Sequence, residues 1–339
     1  MVEPKAIVRS RVPRQFHSAR LYIVNITKAN RGTHMSRAVI FEKFGGPEVL
    51  EVKDISEPHA GAGEVRVKVT FADLNPMDPA ISSMPQLAER FGITPPAGFG
   101  SDFAGVVDEV GDGVSDFSVG DRVYGGAIAR SIADFVVVQP GGILWHTPDG
   151  VSDEIASTLT VAGRTAVAAL EAIDIHEGDT VLIGGAAGGV GIFAIQLAKL
   201  AGARVIGTAS EGTFDFLRDL GVEPVAYGEG LVDRVKELAP SGITAAADLF
   251  GTETAEAALK LGVSPDRIST VAAQANVSQA VRATGAIDAK PGALTQVTDA
   301  IIAGKLTVPI EATYPIEQIH DAVTLLATRH THGKIIIRL

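Results

Sequence analysis

Residues 183–210 read IGGAAGGVGIFAIQLAKLAGARVIGTAS, and this stretch decides the fold. An apolar strand leads into a glycine-rich turn, a helical pattern covers residues 190–201, and a second apolar segment ends in small polar residues. Strand, turn, helix and strand within about thirty residues predict a βαβ unit, from which parallel sheets are built.

The glycine turn carries a dinucleotide-binding pattern. Ala186, Gly188 and Gly191 occupy its three positions, with alanine in place of the first glycine. Small residues let backbone N–H groups approach a pyrophosphate, and Gly191 lets the helix pack close to the strand. No Lys-Ser/Thr pair follows, which excludes a P-loop. A turn without a ligand is the structural alternative, and the βαβ context disfavours it.

The end of the second strand indicates which dinucleotide is bound. NAD enzymes place an acidic residue there to accept from the ribose 2′-hydroxyl, and that carboxylate would repel a 2′-phosphate. Here the strand ends in Thr208, Ala209 and Ser210, so there is room for a phosphate and a hydroxyl that can donate to it. Glu211 favours NADH instead, and Ser210 could be a turn residue only. The pattern therefore favours NADPH over NADH.

Composition limits the remaining possibilities. The chain has 339 residues, which is enough for two domains. It contains no cysteine, which excludes disulfides, thiolate zinc sites, iron–sulfur clusters and cysteine nucleophiles. Its apolar runs are short for a membrane span, and its formal charge of −11 disfavours binding to a phosphate backbone. We expect a cytoplasmic enzyme or small-ligand binder with no membrane or nucleic-acid partner.

The two ends of the chain differ from its middle. Residues 1–34 hold seven Lys or Arg against one acid and are predicted to be an extension outside the fold. From Met35 to about Pro140 alternating segments predict strands, and from about Glu154 to Gly285 strands alternate with helices, which predicts a parallel sheet. The tail predicts a strand, a helix from about Glu317 and a final strand at 334–338.

Several stretches together resemble the zinc-independent quinone oxidoreductase branch of the medium-chain dehydrogenase/reductase superfamily. They are MSRAVIFEKFGGPEVLEV, LNPMDP, FGSDFAGVVDEVGDGVSDFSVGDRVYG, TVAGRTAVAALEA, GDTVLIGGAAGGVG and GKIIIRL. The resemblance implies an α/β protein with a GroES-like β-rich catalytic domain (35–157, completed by 297–339) around a Rossmann domain (158–296). It also implies a homodimer joined through the last Rossmann strand, near VRATG.

The zinc site of related dehydrogenases is missing. Those relatives carry Gly-His-Glu and cysteine ligands where this chain has FGSDFAG, with Ser101 and Asp102. His330 and His332 form an isolated H-x-H near the end of the chain, for which a solvated turn is the expected structure. We therefore expect no metal, and no Lewis acid to polarise a substrate carbonyl.

The resemblance also assigns site residues. Asn75 and Asp78 of NPMD match the segment beside the nicotinamide, although both could be turn residues. Thr165 matches a threonine near the cofactor, and Tyr227 a tyrosine near the 2′-phosphate. The other cofactor-binding candidates are Ala187, Gly188, Gly189, Val190, Ser210, Phe250 and Ala272.

The implied reaction is hydride transfer from NADPH to a quinone or an α,β-unsaturated carbonyl. Without zinc, hydrogen-bond donors must stabilise the oxyanion, and Asn75 is the main candidate. Tyr124 is a candidate proton donor with core packing as its alternative. The tyrosine and arginine that often follow NPxD are absent from PAISSMPQLAERFG, which leaves the substrate open. A biosynthetic enoyl reductase and a non-catalytic NADPH-binding sensor are the alternatives.

Overall fold

The computed structural model describes residues 34–271, 281–329 and 331–339. The predictions for residues 1–33, for Ala272 and for His330 lie outside the described residues. Within the described residues, no helix is both long enough and apolar enough to cross a membrane.

The first part of the chain is mostly β, as its alternating pattern predicts. Two short helices that the sequence pattern does not predict interrupt the strands. Pro85 starts the second helix, at a position where proline is favoured. The elements are β1 (Met35–Phe41), β2 (Leu50–Ser56), β3 (Val65–Asp73), α1 (Met77–Ser83), α2 (Pro85–Arg90), β4 (Ala97–Gly98), β5 (Asp102–Val110), β6 (Arg122–Gly126), β7 (Phe135–Val138) and β8 (Leu144–His146).

The second part alternates strands with helices. A π-helical turn at Leu159–Gly163 precedes α4. The elements are α3 (Asp153–Ala156), α4 (Arg164–Ala172), β9 (Thr180–Gly184), α5 (Gly191–Leu200), β10 (Arg204–Ala209), α6 (Phe214–Asp219), β11 (Glu223–Ala226), α7 (Leu231–Leu238), β12 (Ala245–Asp248), α8 (Glu253–Lys260), β13 (Ile268–Thr270), β14 (Arg282–Ala283), α9 (Ala293–Ile302), β15 (Ile310–Pro315), α10 (Ile319–Ala327) and β16 (Lys334–Arg338).

The parallel sheet has the order β11-β10-β9-β12-β13-β14. This is the Rossmann order, in which the first strand of the fold lies at the centre. Val181, Leu182 and Ile183 of β9 are all fully buried, because helices cover both faces of a central parallel strand. The chain changes direction across the sheet between β9 and β12, and in such sheets ligands bind at the carboxyl ends of the strands there.

The tail returns to the β-rich part. β16 pairs antiparallel with β3 and parallel with β15, inside a sheet that continues through β5, β6 and β8. The predicted domain boundaries stay predictions; α9 crosses the one between residues 296 and 297. One apolar core lies between the parallel sheet and helices α4, α5 and α9, and a second lies inside the β-rich sheet.

Candidate functional site

One cleft of about 2200 Å³ joins the two parts of the molecule. The Rossmann part contributes the glycine turn after β9, Ser210 after β10, and the ends of later strands. The β-rich part contributes the loop after β3, the start of β5, and Trp145 of β8. Residues far apart in the sequence thus meet in a single site.

The geometry of the glycine turn fits a pyrophosphate. The turn is closed by a bond from the Gly188 amide to the Gly185 carbonyl, 3.0 Å long, and the Gly188 carbonyl accepts from Ile192 of α5 at 3.0 Å. Among the described residues, the amides of Gly189 and Val190 donate to no backbone carbonyl. Free amides at the start of a helix are the groups that bind a phosphate.

The predicted cofactor-binding residues within the described chain all line this cleft. Ala187 accepts a hydrogen bond from the Gly333 amide at 3.0 Å, which ties the turn to the tail. Tyr227 and Phe250 are 52% and 63% exposed, so their rings are available to a ligand. The Thr165 hydroxyl donates to the Val161 carbonyl at 2.6 Å. The complete set is Thr165, Ala187, Gly188, Gly189, Val190, Ser210, Tyr227 and Phe250.

Asn75 lies on the opposite wall, and both ends of its amide are fixed. Lys334 Nζ donates to Asn75 Oδ1 at 3.2 Å, and Asn75 Nδ2 donates to Asp102 Oδ2 at 3.2 Å. An ammonium can only donate, so the amide oxygen of Asn75 must face Lys334, and this determines the amide orientation. Asn75 also hydrogen-bonds to Asp73 and opposes the rise in its pKa.

Lys334 is the buried cation beneath this amide. Its Nζ lies 2.6 Å from Asp73 Oδ2, and the two side chains are 2% and 0% exposed. Burial raises the pKa of Asp73 to about 6, although the Lys334 ammonium opposes that rise. A Cβ on Gly189 would lie 3.2 Å from Lys334 Nζ, so the ammonium sits directly below the glycine turn.

Asp102 lies on the cleft wall beside Asn75. Its Oδ2 accepts from the Val161 amide at 2.9 Å, whereas its buried Oδ1 has no hydrogen-bond partner among the described residues. Burial raises the pKa of Asp102 well above the usual range. A carboxyl with a perturbed pKa in a cleft is a candidate functional group.

Asp78 lies behind the cleft wall and supports it. Its Oδ2 accepts from the backbone N–H of Asn75 at 2.8 Å, and its Oδ1 accepts from the Ser101 hydroxyl. Burial raises the pKa of Asp78 to about 7. This placement fits the structural alternative for Asp78, because its carboxyl is occupied in shaping the loop that carries Asn75.

We expect Asp78 to make stability fall as the pH rises. Its pKa of about 7 in the folded chain lies above the value of about 3.9 in the unfolded chain, so the folded state holds the extra proton between those values. Relative to the Asp78→Asn variant, wild type should lose about 2 kcal/mol of unfolding free energy between pH 5 and pH 8. Urea unfolding at both pH values measures this, and parallel pH profiles would contradict it.

Tyr124 lies in the core and does not line the cleft. It is 2% exposed, its ring centroid lies 5.8 Å from that of Trp145, and burial raises the pKa of its hydroxyl. This placement fits the packing alternative to the predicted proton-donor role.

A second cation, Arg164, lies on the wall and was not predicted from the sequence. Arg164 is half-buried at the start of α4, with its guanidinium carbon 5.7 Å from the centroid of the Trp145 ring. Burial lowers the pKa of Arg164, and among the described residues no carboxylate lies within 4.0 Å of it. The signal in the sequence was an arginine inside the otherwise uncharged segment TVAGRTAVAAL.

The donors at the position of the zinc site do not fit that metal. Ser101 is bonded to Asp78, and Asp102 is bonded to Asn75 and Val161. Within ranges 34–271, 281–329 and 331–339, no three His, Cys, Asp or Glu side chains are placed to hold a metal ion. His332, for which a solvated turn was expected, instead lies half-buried against the cleft.

Comparison with known proteins agrees with this geometry. Residues 61–142 match the family described as alcohol dehydrogenase GroES-like domain, and residues 189–295 match the one described as zinc-binding dehydrogenase. The chain is 37% identical over 182 residues to a quinone oxidoreductase of Pseudomonas aeruginosa; this covers 52% of the chain and 53% of that relative. The match thus spans about half the length of that relative.

Two further comparisons cover more of the chain. A quinone oxidoreductase of Rattus norvegicus is 30% identical over 254 residues, covering 73% of this chain and 76% of the relative. A mycobacterial structure complexed with NADPH superposes with a TM-score of 0.78 at 27% identity, covering 90% of this chain and 100% of that one. The chain therefore belongs to the quinone oxidoreductase family of the medium-chain dehydrogenases/reductases.

Proposed function

We propose that this protein is an NADPH-dependent reductase that delivers a hydride to a quinone or an α,β-unsaturated carbonyl. One observation carries the proposal: a single cleft connects the glycine turn of the Rossmann sheet to the wall formed by Asn75, Asp102 and Arg164. A cofactor and an acceptor can therefore be held together in one site.

The Rossmann side of the cleft would hold the cofactor. The free amides of Gly189 and Val190 would bind the pyrophosphate, and Ser210 with Tyr227 would face the ribose at the end of β10. The NADPH complex of the mycobacterial relative supports this choice of cofactor. When bound, the cofactor supplies the hydride.

The wall residues would orient the acceptor and stabilise the negative charge on its oxygen. The side-chain amide of Asn75 and the guanidinium of Arg164 are the donors on this wall that could face the acceptor oxygen. Fixed donors in a site shielded from water are a large source of rate enhancement. Asp102 lies beside them on the same wall, and burial raises its pKa well above the usual range.

The test is to titrate the full-length protein with NADPH and NADH, then follow oxidation of the bound cofactor by quinones, enones and enoyl thioesters. The proposal expects tighter binding of NADPH and turnover with a quinone or enone. Tenfold tighter binding of NADH than of NADPH would contradict the assignment of NADPH as the cofactor. Binding without turnover would favour a sensor, and turnover with enoyl thioesters alone would favour a biosynthetic enoyl reductase.

We expect Arg164→Met to lower kcat/KM for the acceptor by about tenfold to a hundredfold, because a fixed cation near the acceptor oxygen is lost. The dissociation constant for NADPH should change by less than about twofold. Arg204→Met, which removes an exposed arginine paired with Glu223 at 2.7 Å, is the matched control and should change neither. Equal kcat/KM for Arg164→Met and wild type would show that Arg164 does not act on the acceptor.

A further inference from the structure

A chain of three polar side chains lies at the carboxyl end of β10. Ser210 Oγ and Thr213 Oγ1 are 2.8 Å apart, and Thr213 Oγ1 and His332 Nε2 are 3.1 Å apart. All three residues line the cleft, with Thr213 only 5% exposed. The tail thus contributes an imidazole to the place where a Rossmann fold reads the ribose of its dinucleotide.

The imidazole is held in place by two neighbours. Its ring stacks on Phe216 of α6, with centroids 5.3 Å apart and planes 21° apart. The backbone amide of His332 donates to Glu311 Oε2 of β15 at 3.3 Å. These contacts orient the ring so that Nε2 faces Thr213.

The protonation of Nε2 decides what Ser210 presents to the cleft. A hydroxyl has one proton, so if Nε2–H donates to Thr213, Thr213 donates to Ser210 and the Ser210 proton is free to point outward. If Nε2 has no proton, every donor points toward the imidazole and Ser210 presents only lone pairs. A phosphate oxygen can only accept, whereas a ribose hydroxyl can also donate.

We propose that His332, acting through Thr213, is the positioning residue that makes Ser210 a donor to the 2′-phosphate of the cofactor. This rests on the proposed NADPH dependence and explains how the site accepts a phosphate although no Lys or Arg lies between Ser210 and Arg218. The required group comes from residue 332, more than one hundred positions away in sequence.

The test measures binding alone, with 2′,5′-ADP and 5′-AMP as probes of the adenosine half, and NADPH and NADH as the whole cofactors. His332→Phe keeps a ring to stack on Phe216 but removes Nε2. Thr213→Val removes the hydroxyl that links Ser210 to His332 and keeps the shape of the side chain at position 213. Each should weaken the binding of 2′,5′-ADP and NADPH by about threefold to tenfold, because the proton of the Ser210 hydroxyl is no longer held pointing toward the phosphate. Binding of 5′-AMP and NADH should stay within about twofold.

Two further variants separate positioning from general damage. His332→Gln places an amide donor near Nε2 and should restore most of the lost affinity. His146→Phe is the matched control, because His146 also stacks on a phenylalanine, Phe117 at 4.7 Å, but lies outside the cleft. An equal loss of affinity for NADPH and NADH in His332→Phe would show that His332 has only a structural role. An unchanged preference for NADPH over NADH would show that His332 takes no part in recognising the 2′-phosphate.

The outcome also distinguishes this inference from the proposed function. If wild type prefers NADPH and reduces a quinone, but His332→Phe keeps that preference, only the inference fails. If wild type binds 5′-AMP as tightly as 2′,5′-ADP, both the NADPH dependence and the inference fail.

Discussion

Gly191→Ala is expected to destabilise the protein by about 3 kcal/mol and to abolish measurable NADPH binding. A Cβ at this position would overlap the Gly185 carbonyl oxygen and lie 2.5 Å from that of Ala186. Both atoms belong to the backbone of the glycine turn, so no side chain can rotate away. The turn and α5 would have to separate, which moves the amides of Gly189 and Val190. Urea unfolding and a fluorescence titration with NADPH measure the two effects.

Gly212→Ala is the matched control for this substitution. A Cβ there would meet no atom within 4 Å, and residue 212 is exposed in the turn that follows Ser210. Its unfolding free energy should stay within about 0.5 kcal/mol of wild type. Gly191→Ala with wild-type stability and NADPH affinity would show that the turn does not depend on this close approach.

Lys334→Met is expected to cost about 3–5 kcal/mol of unfolding free energy at pH 8, because it leaves Asp73 buried without its cation. The penalty should be smaller at pH 5. Burial already raises the pKa of Asp73 to about 6 with the ammonium present, and losing the ammonium raises it further. Below that pKa Asp73 is neutral, so the folded chain no longer contains an unpaired charge. Urea unfolding at both pH values gives the difference.

Two controls separate the buried charge from other effects of the substitution. Lys53→Met removes a lysine whose partner Glu42, at 2.5 Å, is largely exposed, and it should cost less than about 1 kcal/mol. The double variant Lys334→Met with Asp73→Asn should recover at least half of the loss, since it removes the unpaired charge. A Lys334→Met penalty that is equal at pH 5 and pH 8 would contradict this account.

The fold was predictable from the sequence because its signals are local. The βαβ unit at residues 183–210, the alternating strands before Pro140 and the final strand at 334–338 each show in a short window of residues. Turn and helix require small residues at fixed spacing, and a central parallel strand requires an unbroken apolar run. Helices α1 and α2 were missed because each is only two turns long and is surrounded by residues typical of turns.

The site was predictable only in part. The cofactor-binding candidates follow the glycine turn and the ends of the strands, positions that a Rossmann fold fixes. Asn75 was found through a motif, but the orientation of its amide depends on Lys334, which lies 259 residues further along the chain. Arg164 and His332 were not recognised as site residues, because nothing near them in sequence shows what they face.

The sequence by itself determined a glycine turn that can approach a phosphate, the βαβ unit that contains this turn, and the absence of the cysteine and histidine zinc ligands. Tertiary structure alone decided that β16 inserts beside β3, which buries Lys334 between Asp73 and Asn75 and brings His332 to Thr213. The physical reason is the separation in sequence of the residues involved. Backbone conformation follows from neighbouring residues, whereas a buried charge or a chain of hydrogen bonds depends on which distant segments pack together.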